Sequence, residues 1–378
     1  MMTICSKCYY DNNYPEITFD KNNVCNYCIQ IESLANEYGT GREKGIKKFQ
    51  QIINEIKVNQ KNKMYDCVVG VSGGTDSSYM LHLLKKEYKL RVLAVHYDNT
   101  WNTEISTRNI YAMINKLNID LITHVVDNKE ADDILKSFFM SGVAEIDGPT
   151  DLAVAFVLRT AAKKHGIKYI FEGHSFLEEG ITPLTNNYFD GKFIESIHKK
   201  FGEMKMQNYP LMTFRKFVTS IIFDRVKLIR PFWYINYQKE MAIEFLSKNY
   251  DWKYYDGHHL ENRMTAFYHL IYLPKRFNKS LKINTIAAKV RNKAISRKQA
   301  EELINKEDKA SKDIEVYFKK RLNLSDNEYG YYMGAPLKNW KDFPNDKKKF
   351  EIMRPLFFVA QKFNLVPKSF YLKYCFKK

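Results

Sequence analysis

No apolar run in the 378 residues approaches the roughly 20 that a membrane-spanning helix needs. Met1 is not followed by a basic-then-apolar leader, so the sequence predicts a cytosolic protein with no membrane partner. Internal repeats and low-complexity blocks are absent, which excludes solenoids and repeat arrays. Cysteine is scarce: of six, four fall in the first 28 residues, and a disulfide framework does not suit a large cytosolic chain. Acidic residues are in deficit, 43 Asp+Glu against 60 Lys+Arg, which leaves a formal charge of +17. That excess suits nucleic acid, an acidic membrane surface or a negatively charged metabolite, and does not choose among them.

What is present begins with Cys5-Ser-Lys-Cys8 and Cys25-Asn-Tyr-Cys28. Two Cys-x-x-Cys pairs at this separation match a four-thiolate zinc site. A closed tetrahedron leaves no position for water, so the expected role is structural, and metal binding would supply folding energy to a short polar segment. An iron–sulfur cluster and a flexible arm of reduced cysteines are the alternatives.

A helical stretch near Ile46–Ile56 and a Lys/Asn-rich linker follow. Four strand-like runs, Tyr65–Val71, Leu90–Asp98, Asp120–Val126 and Lys168–His174, then alternate with helices starting near Asp76, Thr103, Lys129 and Asp151. Asp151 is an N-cap candidate and Gly166 a stop signal. This alternation predicts an α/β fold: a doubly wound parallel sheet with its ligand site at the carboxyl ends of the strands. Beyond about Tyr188 the pattern is aromatic and mostly helical, with amphipathic stretches at Glu240–Asn249 and Ala294–Ile304. Residues Lys341–Lys378 read as a basic tail.

The first strand runs into Ser72-Gly73-Gly74-Thr75-Asp76-Ser77 and then a helix. Adjacent glycines let the backbone approach an anion, and the N–H groups of the helix start point at it. The lysine of a GxxxxGK[ST] loop is missing. Asp76 is out of place in an anion site unless it holds Mg²⁺ or receives a proton.

SGGTDS resembles the SGGxDS signature of the pyrophosphate-loop (PP-loop) ATP pyrophosphatases, which cleave ATP between its α- and β-phosphates. The resemblance implies that Ser72, Gly73, Gly74, Thr75, Asp76 and Ser77 grip a departing pyrophosphate while AMP is transferred. It also implies that Asp98, Gly173 and His174 lie around the adenosine. The cysteine pairs, the loop, Gly148-Pro-Thr150-Asp151, Glu179–Pro183 and Tyr255–Asn278 together resemble the N-acetyl sugar amidotransferases, most closely the PseA-type enzymes of pseudaminic acid biosynthesis. The likeness covers the chain to about Ala300.

That family is implied to turn a sugar N-acetyl group into an acetamidino group, for flagellin or another surface glycan. Adenylating the amide oxygen makes an O-AMP imidate; ammonia adds and AMP departs. The implied cofactors are ATP, Mg²⁺ and structural Zn²⁺. The implied partners are an acidic N-acetylated sugar, free or nucleotide-linked, and a separate glutaminase subunit, since no glutaminase nucleophile motif is evident here. Asp76, Glu172 and Glu179 are the expected catalytic carboxylates. Thr150, Asp151, Arg159 and His259 are expected at the acceptor, and Cys5, Cys8, Cys25 and Cys28 at the metal. The expected organisation is a zinc knuckle plus helix over 1–60, the PP-loop domain over 61–250 and a helical, basic region over 251–378.

The rival is a PP-loop tRNA-modifying enzyme of thiolase or lysidine synthetase type, which the basic balance and the knuckle would suit. Against it, residues 148–151 contain no cysteine, the midchain Cys pair of sulfur-transferring relatives is absent, and the charge is spread rather than patched. A zinc-knuckle adaptor without turnover is the other reading, and the intact SGGTDS argues against it.

Overall fold

The computed structural model describes residues 3–181, 183, 188–255, 257, 260–306 and 311–376. Helices α1 (Asn26–Tyr38) and α2 (Glu43–Asn59) lead into β1 (Cys67–Gly70), α3 (Thr75–His82), β2 (Val92–Asp98), α4 (Glu104–Leu117) and β3 (Asp120–Val125). Then come α5 (Asn128–Ser141), α6 (Gly148–Lys164), β4 (Tyr169–Phe171), α7 (Gly191–Phe201), α8 (Phe214–Thr219), β5 (Lys227–Ile229) and α9 (Lys239–Asn249). The C-terminal part carries helices α10 (Arg263–Phe267), α11 (Leu273–Phe277), α12 (Leu281–Arg291), α13 (Arg297–Asn305), α14 (Ser311–Arg321), α15 (Asp326–Gly334), α16 (Lys347–Ile352), α17 (Arg354–Lys362) and α18 (Lys368–Tyr374).

The five strands form one sheet in the order β3-β2-β1-β4-β5, with every neighbouring pair parallel. β1 is apolar through Cys67, Val68 and Val69 because helices cover both faces. Phe49, Ile53, Met80, Ile110, Met113 and Leu246 pack on one face, and Val157, Leu158, Ala161 and Ala162 of α6 on the other. The chain winds outward from β1 to β3 and returns to place β4 beside β1, Val69 opposite Phe171. The loops after β1 and β4 therefore diverge from one crevice, where open α/β sheets take their ligands.

The four expected strands are present with shorter ends, and β5 at the sheet edge adds a fifth. β4 stops at Phe171, so Glu172-Gly173-His174 is loop rather than strand end. Helix α6 begins at Gly148, three residues before the expected cap Asp151, because Pro149 presets the helical φ and lacks an N–H that the first turn leaves unused. Gly166 terminates it at φ +64°.

A larger core joins Phe138 and Phe139 of α5, Phe193 and Ile197 of α7 and Phe267, Tyr272, Phe318, Phe350 and Phe357 from the C-terminal helices. The stretch read as a basic tail is part of it. Phe350, Phe357, Val366 and Tyr374 are buried, and Lys347 Nζ is buried too, donating to the carbonyls of Lys373, Tyr374 and Phe376. No helix among the described residues is long and apolar enough to cross a membrane.

Candidate active site and metal centre

The loop after β1 is shaped by its own serines. Ser72 Oγ accepts from Gly74 N at 3.2 Å, and Ser77 Oγ donates to the Gly74 carbonyl at 3.3 Å. Gly73 sits at φ +77° with its carbonyl held by Asn109 Nδ2 and Trp252 Nε1, each at 3.2 Å. A Cβ there would meet the Ser106 carbonyl oxygen at 2.1 Å, so only glycine fits. Gly74 caps α3 without a side-chain bond, which leaves the first N–H groups of the helix facing outward. One is held by Tyr255: the Thr75 N–H donates to its hydroxyl at 3.3 Å. Glu261 Oε1 would lie 3.0 Å from a Cβ on Gly74, so Tyr255 and Glu261 roof the loop.

Asp76 points away from the loop backbone toward two donors at the start of α9, one just before the helix and one at its first residue. Tyr237 donates to Oδ1, and Lys239 Nζ lies 3.0 Å from Oδ2. Burial pulls the Lys239 pKa down, but Asp76 and Glu179 outweigh it and leave it raised. Burial also pushes the nearby Glu178 carboxyl up to about 7, with Glu240 adding to the shift.

Asp98 ends β2 and accepts from Thr100 N at 2.7 Å and Asn102 Nδ2 at 3.0 Å, organising the turn where the adenosine is expected. Gly173 lies against Asp76: a Cβ would stand 3.3 Å from that of Asp76. His174 Nδ1 accepts from Trp233 Nε1 at 3.2 Å, and its Nε2 lies 3.9 Å from Glu179 Oε2. Gly173, His174 and Glu179 thus stand on the Asp76 side of the crevice.

Glu172 faces the other way, into a cavity of about 530 Å³ that it shares with Asp151 and Arg159. Arg230 donates to Glu172 Oε2 from Nε at 3.0 Å and Nη2 at 2.9 Å, and lies over Trp233. Arg159 is 6% exposed, donates to the Leu365 carbonyl at 2.9 Å, and forms no salt bridge among the described residues. Burial lowers its pKa. Lys373 and Asp190 also line the cavity, and Phe214, Phe217 and Phe370 form an apolar wall. Thr150 lies elsewhere, in a hollow of about 20 Å³ against Tyr97 and Tyr209. His259 lies outside the described residues.

The four cysteine sulfurs lie within 4.8 Å of one another, all buried. Cys5–Cys28 and Cys8–Cys25 are 3.9 and 3.8 Å apart. A tetrahedron with metal–sulfur bonds of about 2.3 Å has edges of about 3.8 Å. The donors therefore fit a closed four-thiolate site. The knuckle docks on the C-terminal helices: Arg297 donates to the Cys5 and Ser6 carbonyls at 2.7 and 2.9 Å, and Ala287 packs into the knuckle's core.

Sequence reasoning missed Tyr237, Lys239 and Arg230. Tyr255 falls in a stretch singled out by resemblance alone.

Two family models match the chain. "NAD synthase" matches residues 46–146, and "LPS biosynthesis protein WbpG-like, C-terminal domain" matches residues 261–356. Among curated proteins, the uncharacterized protein MJ1599 of Methanocaldococcus jannaschii is 26% identical over 171 residues, 45% of this chain and 58% of that protein. Sulfate adenylyltransferase subunit 2 of Pseudomonas fluorescens is 32% identical over 125 residues, 32% of this chain and 38% of that protein. The chain thus spans little more than half of the first relative and less of the second. Among solved structures, NMN synthetase from Francisella tularensis is 15% identical with a TM-score of 0.32, covering 78% of this chain and 98% of that one. The U34-tRNA thiolase NcsA from Methanococcus maripaludis is 16% identical with a TM-score of 0.32, covering 82% and 91%. The parallel sheet, the loop after β1 and the NAD synthase match make this a PP-loop, NAD synthase-like fold, followed by a helical segment similar to the WbpG-like C-terminal domain.

Proposed function

We propose that the chain is an ATP-dependent, AMP-forming amidotransferase that converts the N-acetyl group of an acidic, pseudaminic acid-type sugar into an acetamidino group. One observation carries this reading. Two consecutive residues link a lysine-free phosphate loop to a mixed polar–apolar cavity: Glu172 lines the cavity, and Gly173 lies against Asp76 of the loop. The WbpG-like match supports a substrate from surface-polysaccharide synthesis, and the NAD synthase match supports ATP use.

The amide oxygen of the acceptor attacks the α-phosphorus, and the bond to the bridging oxygen breaks. Pyrophosphate leaves with that electron pair toward Ser72–Ser77. Ammonia then adds its lone pair to the imidate carbon and loses a proton, and AMP departs with the former carbonyl oxygen. Loop N–H groups and serine hydroxyls bind the leaving group. Asp98 and His174 flank the adenosine. Arg159 pairs with the acid group of the sugar, Asp151 orients it, and Arg230 positions Glu172 to take the ammonia proton. Glu179 orients His174. Asp76 would hold a Mg²⁺, which would supply charge neutralisation on the phosphates, and Cys5, Cys8, Cys25 and Cys28 would hold a structural Zn²⁺ that would stabilise the folded knuckle. Ammonia must arrive unprotonated to attack, which is the reason to infer a glutaminase partner.

The test is an incubation with ATP, Mg²⁺, ammonium and an N-acetylated nonulosonic acid, followed by AMP and pyrophosphate assays and mass spectrometry of the sugar. Replacement of one carbonyl oxygen by NH, in step with AMP, is the expected result. An unchanged sugar, with AMP formed only when tRNA is added, would assign the chain to RNA modification instead.

A further inference from the structure

Arg159 lines a second hollow besides the cavity it shares with Glu172. With Met212 it reaches a groove of about 520 Å³ between α6 and α8. Lys163, Arg215 and Lys216 join it there, and Asp224 is the one carboxylate in that wall among the described residues. Lys163 Nζ lies 3.3 Å from Asp224, which answers that charge. Lys216 Nζ donates to the Leu211 carbonyl at 3.2 Å and lies 4.8 Å from the centre of the Phe156 ring. Arg215 is exposed, and its side chain makes no hydrogen bond or ion pair among the described residues. Arg159, Arg215 and Lys216 thus share one groove without a salt-bridge partner among the described residues, and Thr160 and Thr213 add hydroxyls beside them. Like charges gathered in a concave wall repel one another and draw in an anion.

We propose that this groove is a phosphate subsite: the acceptor arrives as a phosphate-linked, activated sugar whose phosphate lies on Arg215 and Lys216 while its sugar acid occupies the neighbouring cavity. The inference rests on reading that cavity as the acceptor site. A free sugar acid carries one negative charge, which Arg159 answers alone, and it leaves Arg215 and Lys216 without an anion. A phosphate diester keeps its own charge and two unesterified oxygens, which suit a forked guanidinium and an ammonium side by side. In a nucleoside monophosphate-linked 2-keto sugar acid, carboxylate and phosphate hang from the same carbon. One guanidinium that faces both hollows can therefore meet both anions. Burial orders the ligand, because Arg159 is 6% exposed while Arg215 and Lys216 are open to solvent. The sugar acid goes inward and the nucleoside stays outside. No residue of the Ser72–Ser77 loop lines the groove, so this phosphate and those of ATP do not compete for one cradle.

The test is isothermal titration calorimetry on the full chain, with Mg²⁺ and saturating α,β-methylene ATP present to fill the ATP site. The probes are CMP-N-acetylneuraminic acid, free N-acetylneuraminic acid, CMP and a short single-stranded RNA. Wild type is compared with the double variant Arg215→Met, Lys216→Met and with the control Lys47→Met, which breaks only an exposed pair with Glu43. Wild type is expected to bind the CMP-linked sugar about tenfold or more tighter than the free sugar, the scale of one charge-assisted contact. The double variant should lose that advantage while keeping the wild-type affinity for the free sugar, and Lys47→Met should match wild type. Equal wild-type affinity for the linked and free sugars overturns the subsite and leaves the acceptor cavity standing. A linked-sugar affinity that the double variant retains overturns it as well, as does a wild type that binds no phosphate-bearing probe. CMP binding as tight as that of the linked sugar, and lost in the double variant, overturns the activated-sugar assignment, because the acceptor reading of the cavity has then failed. RNA binding tighter than any mononucleotide probe, and lost in the double variant, gives the groove to nucleic acid and overturns the proposal.

Discussion

Arg291 Nε lies 3.4 Å from the Cys28 sulfur, although 263 positions separate the two residues. Both terminal nitrogens of this guanidinium are buried without a hydrogen-bond partner among the described residues. A buried cation beside four cysteines is tolerable when those cysteines are thiolates around a metal, because a dianionic centre then faces it. The C-terminal helices thereby supply an outer shell for the four-cysteine cluster. Arg291→Met is expected to lower metal affinity about 10–100-fold, read by competition with a chromogenic chelator. Stripping the metal should lower Tm on the order of 5 °C or more and expose the cysteines to alkylation. Full metal retention in the variant would remove the counter-charge role.

Gly73 and Gly330 make a matched pair for the phosphate loop. Gly73→Ala places a Cβ 2.1 Å from a backbone carbonyl at φ +77°, whereas Gly330, inside α15, has nothing within 4 Å. The first substitution is expected to cost on the order of 3 kcal/mol or more in chemical denaturation, through strain plus a clash that backbone cannot relieve. The second should stabilise by up to about 1 kcal/mol as a helix-interior Gly→Ala change. Equal effects at the two sites would mean that the loop lacks the tight turn described here.

The parts legible in the sequence are those with local signals. Paired cysteines at short spacing, a strand running into Ser-Gly-Gly and the alternation over Tyr65–His174 each state their structure within a few residues. β5 is three residues long, carries a lysine and lies at an edge, so neither alternation nor an apolar run marks it. Lys239 is one of 60 cationic side chains, and nothing near it in the chain distinguishes it from the solvated majority. Its meaning arises from the fold, which sets it on Asp76 from across the sequence. Composition misled at Lys347, where a basic segment reads as tail although its aromatic residues fill the largest core.

Arg159 gives the proposed acceptor cavity a test in which stability and function move in opposite directions. Its guanidinium is buried with a carbonyl and a serine hydroxyl for company, and burial works against its charge. Replacing such a group by an apolar side chain of similar length is neutral or stabilising. Arg159→Met is therefore expected to keep or raise Tm and leave ATP binding intact, while raising the acceptor KM by about tenfold or more. Glu172→Gln should instead lower kcat for the ammonia-dependent step, with little change in acceptor KM. If Arg159→Met loses ATP binding as well, the cavity is not a separate acceptor site.

Glu145, at the turn entering α6, predicts a pH dependence of stability. It is 4% exposed, and burial pushes its carboxyl from the usual 4.5 up to about 7. Lys373 of α18 is the cation facing it and works against that rise, while Asp147 on its own turn is pushed up in the same way. Tyr188, Tyr268 and Tyr272 approach from the neighbouring elements. Because the folded value lies above the unfolded one, the folded protein holds a proton that the unfolded chain releases between pH 4.5 and 7. Stability is thus fully present below about pH 4.5 and declines as pH rises through 7, by about 3 kcal/mol if Glu145 acts alone. Glu145→Gln cannot ionise, so it should match wild type near pH 4.5, gain about 3 kcal/mol at pH 8, and flatten the slope between. Urea denaturation at three pH values reads this directly, and an unchanged slope would show that Lys373 holds Glu145 ionised throughout.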